Sequence, residues 1–135
     1  MPVPTIAGVY ETVLYGEDVA ALTAFYADVL RLRVVQGPDE LSAAIRLQDG
    51  GMLLLFDPRL AGRPGRPVPS HGATGPGHVA FRVPLGELEG WREALAERDI
   101  TVEQEVEWAA GGRSLYLRDP AGNSIELTGD ELWPV

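Results

Sequence analysis

The chain has 135 residues, 45% hydrophobic and 23% charged, and this size and balance are those of one ordinary globular domain. It contains no cysteine, which excludes disulfides, thiolate nucleophiles, zinc–cysteine sites and iron–sulfur clusters. Eleven basic residues against twenty acidic ones give a formal charge of −9, which disfavours nucleic acid and anionic membranes as partners. The longest apolar run, Met52 to Phe56, is too short to span a membrane, and no signal-peptide pattern opens the chain. We therefore expect a soluble, cytoplasmic protein.

The first part of the chain predicts a strand, a helix and three further strands. Residues 9–15 are β-branched and aromatic, and Asp18 can cap a helix that follows. The apolar residues of that helix recur at helical spacing: Val19, Leu22, Phe25, Val29 and Leu30. Further strands are predicted at residues 32–35, 41–47 and 52–56, with glycine-containing turns between them. This order makes one βαβββ unit, spanning about residues 6–57.

The pattern then restarts after a segment rich in proline, glycine and arginine. Residues 58–76 form this linker, and their prolines are expected to exclude a regular helix or strand. Beyond it a strand at 78–83 precedes a helix with an apolar stripe, and three more strands follow at 101–108, 113–117 and 124–128. The second βαβββ unit therefore covers about residues 77–130. By position in the repeat, Glu11 of the first unit corresponds to His78 of the second, and Leu54 corresponds to Glu126.

Two such units in one domain predict an α+β fold with a central cleft. Each unit leaves an apolar sheet face to bury, and pairing the units gives a curled eight-stranded mixed sheet around a shared concavity. Side chains alternate along a strand, so Val79 and Phe81 face the helix while His78 faces the cleft. The same alternation turns Glu126 into the cleft, with Glu11 and Leu54 at the matching positions of the first unit.

Three blocks of the sequence resemble the vicinal oxygen chelate superfamily. They are Gly8-Val9-Tyr10-Glu11 continuing to Phe25-Tyr26-x-x-Val29-Leu30, then Gly77-His78-Val79-Ala80-Phe81, then Arg118-Asp119-Pro120-x-Gly122-Asn123-x-Ile125-Glu126-Leu127. That superfamily includes glyoxalase I, extradiol dioxygenases, methylmalonyl-CoA epimerases, fosfomycin-modifying enzymes and bleomycin-resistance proteins. The resemblance covers nearly the whole chain. It implies the fold described above and leaves the reaction open.

The resemblance also implies a metal site. In metal-dependent members, residues of the first, fourth, fifth and eighth strands hold a divalent ion, and the matching positions here are Glu11, Leu54, His78 and Glu126. Leu54 cannot coordinate a metal, so the chain departs from the four-ligand pattern of glyoxalase I. The remaining imidazole and two carboxylates suit Mn²⁺, Fe²⁺, Co²⁺, Ni²⁺ or Zn²⁺ and leave positions open for two adjacent substrate oxygens. No catalytic side chain is assigned.

Two functions remain open at this point. The first is a metal-dependent enzyme, dioxygenase-like or isomerase-like, that chelates a small substrate through vicinal oxygens. The second is a metal-free binding protein that sequesters a small molecule, as bleomycin-resistance proteins do. In either case the predicted walls of the cleft are Tyr15, Leu54, Arg82, Trp108, Tyr116 and Arg118.

Three points about this cleft cannot be read from the residues. Arg118 could bind a ligand or only brace the turn at Asp119, and both readings stand. His71 lies in the linker and could be a lid residue, but it is interpreted as a solvated loop residue without an assigned role. Superfamily members of this length commonly form homodimers, which we expect here, and the cleft could form within one chain or between chains.

Overall fold

Eight strands form two separate four-stranded sheets in the computed structural model, which describes residues 2–129 and 132–133. The strands of the first unit are Glu11–Tyr15 (β1), Arg33–Gln36 (β2), Ser42–Arg46 (β3) and Met52–Phe56 (β4). Those of the second unit are His78–Val83 (β5), Gln104–Glu107 (β6), Arg113–Arg118 (β7) and Ser124–Gly129 (β8). The strand orders, β1-β4-β3-β2 and β5-β8-β7-β6, are the same in both units.

The pairing within the sheets confirms the predicted βαβββ units. In each sheet the first and last strands of the unit run parallel, and the other neighbours are antiparallel. Among the described residues, β1 and β5 are both edge strands. The eight strands of one chain therefore form two four-stranded sheets that do not pair with each other. The predicted end of the second unit, residue 130, lies outside the described residues.

Within the described part of the chain, three α-helices accompany the sheets. They are Val19–Ala24 (α1), Pro58–Ala61 (α2) and Leu88–Glu97 (α3). Asp18 caps α1 by accepting a hydrogen bond from the Ala21 amide at 3.0 Å, as the sequence predicts. The helix then continues as a π-helical turn over Phe25–Val29.

The short helix α2 lies in the linker, where the prediction of no regular helix is wrong. Pro58 occupies the first turn of α2, and Asp57 caps it by accepting a hydrogen bond from the Arg59 amide at 2.9 Å. Proline disrupts a helix interior but fits the first turn, because the amide missing there would have no helical partner. The rest of the linker has neither helix nor strand.

The outer faces of both sheets share one hydrophobic core with α1 and α3. The central side chains of this core are at most 4% exposed: Leu14, Ile45, Leu53, Leu55, Leu115, Leu117, Ile125 and Leu127. The opposite faces, which we call the inner faces, carry Glu11 on β1 and His78, Ala80 and Arg82 on β5, and these four residues are exposed. The hydrophobic alternation of the strands therefore buries one face of each sheet and leaves the other open.

A buried polar cluster at the turn between β7 and β8 ties the two units together. Asp119 Oδ2 accepts a hydrogen bond from the Tyr26 hydroxyl of the first unit at 2.7 Å. Asn123 Nδ2 donates to the Tyr15 carbonyl at 3.1 Å, and Asn123 Oδ1 accepts from the Gly77 amide at 2.8 Å. The Asp-Pro-x-Gly-Asn block of the sequence is therefore a structural clip between the units.

Candidate functional site

His78 and Glu126 meet on the inner face of the second sheet. His78 lies at the start of β5 opposite Ser124, and Glu126 lies on the neighbouring strand opposite Ala80. Their side chains converge, with 3.3 Å between His78 Nε2 and Glu126 Oε1. The imidazole is half exposed, whereas Glu126 is only 5% exposed. The sequence prediction that these two residues share one face of the sheet is confirmed.

The second imidazole nitrogen fixes the tautomer of His78. Its Nδ1 lies 3.0 Å from the Ser124 carbonyl oxygen, which can only accept a hydrogen bond. Nδ1 therefore carries a proton, and Nε2 is the nitrogen that faces the Glu126 carboxylate. A ring nitrogen and a carboxylate oxygen 3.3 Å apart are matched either by a proton on Nε2, which makes an ion pair, or by a cation bound to both atoms.

This donor pair fits a divalent metal ion. Metal-binding histidines commonly donate their other ring N–H to a backbone carbonyl, as His78 does with Ser124. Consider two ligand atoms that each lie about 2.1 Å from one metal ion, with an angle of about 100° between the two metal–ligand bonds. Such atoms would be about as far apart as His78 Nε2 and Glu126 Oε1 are here. The chemistry of an imidazole nitrogen and a carboxylate oxygen suits first-row divalent metals.

A chain of hydrogen bonds orients the Glu126 carboxylate. The Ser114 hydroxyl donates to Glu126 Oε2 at 2.6 Å, and Trp108 Nε1 donates to Ser114 Oγ at 2.9 Å. These bonds engage Oε2 and leave Oε1 directed at His78. The Tyr116 ring stacks against the His78 ring, with 6.3 Å between their centroids. Burial raises the pKa of Tyr116, and the negative charge of Glu126 raises it further.

The structure does not bring the third predicted ligand to this pair within one chain. Glu11 lies at the exposed start of β1 in the first sheet, and Leu54 lies opposite Val13 on the same sheet. In residues 2–129 and 132–133, no three histidine, aspartate or glutamate side chains are close enough together to hold a metal ion. One chain therefore supplies His78 and Glu126 together and holds Glu11 apart.

The predicted ligand-binding residues divide between the two inner faces. Trp108 and Tyr116 lie beside the His78–Glu126 pair, and Arg82 lies exposed farther along β5. Tyr15 lies on the first sheet, on the strand that carries Glu11. Arg118 Nε contacts Glu103 Oε2 and its Nη1 donates to the Gly122 carbonyl, each at 3.1 Å. These are the bracing contacts that the sequence left as one alternative for Arg118.

His71, to which the sequence analysis assigns no role, contacts the first sheet. Its Nδ1 lies 2.6 Å from the Tyr15 hydroxyl, and its ring meets the Phe56 ring edge-on at a centroid distance of 4.8 Å. The side chain is half-buried, so the interpretation as a solvated loop residue is wrong. The linker folds back over the first sheet, and composition alone does not reveal that path. A signal that the sequence does carry is the strand alternation that places the aromatic rings of Tyr15 and Phe56 on the same face of the first sheet, where a loop residue can pack against them.

An open depression of about 700 Å³ lies away from both inner faces. The three aspartates among its lining residues have local structural roles. Asp18 caps α1, and Asp39 Oδ1 accepts hydrogen bonds from the Leu41 and Ser42 amides. The hydrogen bond from Arg59 holds the pKa of Asp57 below its usual range. The depression therefore offers no better candidate than the His78–Glu126 pair.

The comparisons with known proteins agree with this architecture. Residues 8–127 match the model of the Glyoxalase/Bleomycin resistance protein/Dioxygenase superfamily, and the chain belongs to that superfamily. The matched range contains both βαβββ units except their outermost residues. Within the described residues, no helix is long and apolar enough to cross a membrane.

Two relatives within the superfamily point to different chemistries. Biphenyl-2,3-diol 1,2-dioxygenase 3 of Rhodococcus globerulus is 34% identical over 117 residues, which are 85% of this chain. This chain spans only 59% of that relative's length. The crystal structure of lactoylglutathione lyase from Agrobacterium tumefaciens has a TM-score of 0.90 and 37% identity, covering 96% of this chain and 98% of that one. A glyoxalase/dioxygenase from Nostoc punctiforme, at 24% identity and a TM-score of 0.70, covers 96% of this chain and 99% of that one and shows the fold alone.

Proposed function

We propose that the protein is an enzyme whose His78 and Glu126 hold a divalent metal ion that activates a small substrate chelated through two adjacent oxygens. The observation that carries this proposal is the convergence of His78 Nε2 and Glu126 Oε1 at 3.3 Å, while hydrogen bonds already engage the other ring nitrogen and the other carboxylate oxygen. Mn²⁺, Fe²⁺, Co²⁺, Ni²⁺ and Zn²⁺ all suit a nitrogen and oxygen donor set. A bound ion would supply Lewis-acid polarisation of the chelated oxygens.

We propose that Glu11 of a second copy completes the site in a homodimer. Both inner faces are open in one chain, and Glu11 is exposed. The residues just before β1 are apolar and exposed, with Val9 at 85% and Tyr10 at 75%. An exposed apolar segment beside an unpaired strand edge is typical of a protein interface. Pairing β1 of one copy with the inner face of the other would bring the third carboxylate to the metal.

Other residues of the chain orient the two proposed metal ligands and line the site. Ser114 and Trp108 orient Glu126 through their hydrogen bonds, and the Tyr116 ring limits the movement of His78 by stacking. In the proposed homodimer, Leu54 of the second copy accompanies Glu11 and gives the metal site an apolar wall without occupying a coordination position. The ion therefore keeps positions for substrate oxygens, as dioxygenase-like and isomerase-like reactions both require.

The absence of cysteine in the sequence is compatible with a cytoplasmic site of action, which we also propose.

The experiment is a metal titration of protein prepared without chelator or affinity tag. We expect about one ion per chain, and a loss of affinity of about 100-fold or more in His78→Ala and in Glu126→Gln. Glu107→Gln is the matched control, because Glu107 is an exposed carboxylate on β6. Binding that persists in both site variants would overturn the proposal. No binding by the wild-type protein would also overturn it and would favour the metal-free sequestering function.

A further inference from the structure

The linker forms a closed loop on the inner face of the first sheet. The Ala61 carbonyl accepts a hydrogen bond from the His71 amide at 3.1 Å and another from Arg66 Nη1 at 2.9 Å. Inside this loop the Ser70 hydroxyl donates to the Arg63 carbonyl at 2.5 Å. Three prolines between residues 63 and 70 restrict the backbone further. The loop therefore holds Arg66 and His71 in defined positions.

Arg66 is a half-buried cation, and no carboxylate in residues 2–129 forms an ion pair with it. Among the described residues the half-buried arginines are Arg66, Arg92 and Arg113. Arg92 and Arg113 both form ion pairs with Glu105. Arg66 instead donates to a backbone carbonyl and lies over the Phe56 ring, 5.7 Å from its centroid, and no described carboxylate pairs with it. In a chain of formal charge −9, a sheltered positive charge left unpaired in this way is suited to an anionic ligand.

His71 adds a hydrogen-bond donor at the same place. Burial raises the pKa of the Tyr15 hydroxyl, and the Arg66 cation opposes that rise by a smaller amount. The Tyr15 hydroxyl and His71 Nδ1 are hydrogen-bonded at 2.6 Å. With the Tyr15 hydroxyl as the donor of this bond, His71 has its N–H at Nε2, where it can donate to a ligand.

The face that carries Glu11 also carries a cluster of four side chains: Tyr15, Phe56, Arg66 and His71. Tyr15 and Phe56 are directly opposite each other across β1 and β4, two residues beyond the opposed pair Val13 and Leu54. Glu11 is four residues from Tyr15, about 13 Å along the strand. Apolar Val13 and Leu54 therefore form a floor between the carboxylate and the cluster.

We propose that Tyr15, Phe56, Arg66 and His71 form a binding subsite for the carboxylate of an aromatic acid. The carboxylate lies against the Arg66 guanidinium and His71 Nε2–H, and the flat apolar body extends over Val13 and Leu54. Arginine offers a planar donor set that matches a carboxylate, which a neutral group of the same shape does not satisfy. This subsite needs no metal ion.

The test is a titration with benzoate in the presence of a chelator, with benzamide as the neutral probe of similar shape. The chain has two histidines, so the imidazole resonances in NMR spectra can be assigned from His71→Gln and His78→Gln. We expect benzoate to shift the His71 resonance and leave that of His78 in place. Benzamide should bind about tenfold more weakly.

Arg66→Gln should lower benzoate affinity about tenfold, whereas Arg63→Gln, an exposed arginine of the same loop, should change it by less than about twofold. Unchanged melting temperatures will show that both variants are folded. The proposal is overturned if benzamide binds as well as benzoate, if Arg63→Gln weakens binding as much as Arg66→Gln, or if no shift of His71 occurs. Because a chelator is present, these outcomes are independent of the metal proposal.

Discussion

The Tyr26 hydroxyl is fully buried between the two units, where it donates its hydrogen bond to Asp119. Burial raises the pKa of Tyr26 far above its usual value, and the negative charge of Asp119 raises it further. Asp119 also accepts hydrogen bonds from the Ala121 and Asn123 amides, which hold its carboxylate in place. Ionisation of Tyr26 would set two negative charges against each other inside the protein.

This contact predicts how stability depends on alkaline pH. Above the ordinary tyrosine pKa of 10.0 the unfolded chain loses the Tyr26 proton while the folded chain keeps it, so stability falls as pH rises. The slope for one such group is about 1.4 kcal/mol per pH unit. All eleven basic residues are arginines, so lysine ionisation does not interfere. Urea unfolding between about pH 8 and pH 11 measures the effect.

Tyr26→Phe should reduce that slope and also cost about 1–3 kcal/mol at neutral pH, because Asp119 loses one buried donor. Some slope should remain, since the pKa values of Tyr15 and Tyr116 are raised as well. Tyr10→Phe is the control, because Tyr10 is 75% exposed. Equal alkaline slopes in wild type and Tyr26→Phe would contradict this account.

Residue-level prediction from the sequence succeeded where strand alternation decides the answer. His78 and Glu126 were placed on one face by period-two alternation, and their side chains are 3.3 Å apart. The support of Glu126 by Ser114 and Trp108 was not predicted. Ser114 reaches Glu126 across β7 and β8, and that contact depends on a pairing register which the sequence does not state.

At the scale of elements, the two repeated helices end in the same way. Arg31 follows the first helix and its π-helical turn with a φ of 57°, and Asp99 follows α3 with a φ of 56°. Both values lie in the left-handed region, which is unfavourable for residues with a Cβ atom and is tolerated better by aspartate than by arginine. The first unit therefore carries a strained residue where glycine is the usual choice.

We expect Arg31→Gly to stabilise the protein by about 0.5–1 kcal/mol, because glycine removes the Cβ conflict in the left-handed conformation. Arg31→Val should destabilise it, since a β-branched residue fits that conformation poorly. Arg31 is exposed, so packing changes little in either variant. Urea unfolding at neutral pH ranks the three proteins. A loss of stability in Arg31→Gly would show that the side chain has a favourable role that outweighs the strain.

The order of the elements was predictable, but several of their ends were not. The first strand was expected over residues 9–15 and is observed at Glu11–Tyr15. Val9 and Tyr10 have strand-forming side chains, but the partner strand β4 begins at Met52, which pairs with Glu11. A strand ends where its partner ends, whatever its own propensity. β6 is also shorter than the expected 101–108: it spans Gln104–Glu107, and its last residue pairs with Arg113, the first residue of β7.

At the scale of the whole molecule, the chain consists of two similar halves that hold different parts of one predicted site. The sequence repeat indicates this duplication, and the core on the outer faces explains why the halves stay together. The repeat does not say which inner faces meet, because the same side chains can pair within a chain or between copies. The structure separates Glu11 from His78 and Glu126, and this separation is the basis for proposing a site shared between two copies.

The most direct test of that claim is to mix two variants that each lack one part of the site. Homodimers of Glu11→Gln and of His78→Ala should both lose tight metal binding. After subunits are exchanged, half of the dimers are mixed, and each mixed dimer has one intact site built from Glu11 of one copy and His78 and Glu126 of the other. We predict recovery of about a quarter of the wild-type metal content. Mixing that restores no metal binding would contradict a site shared between two copies.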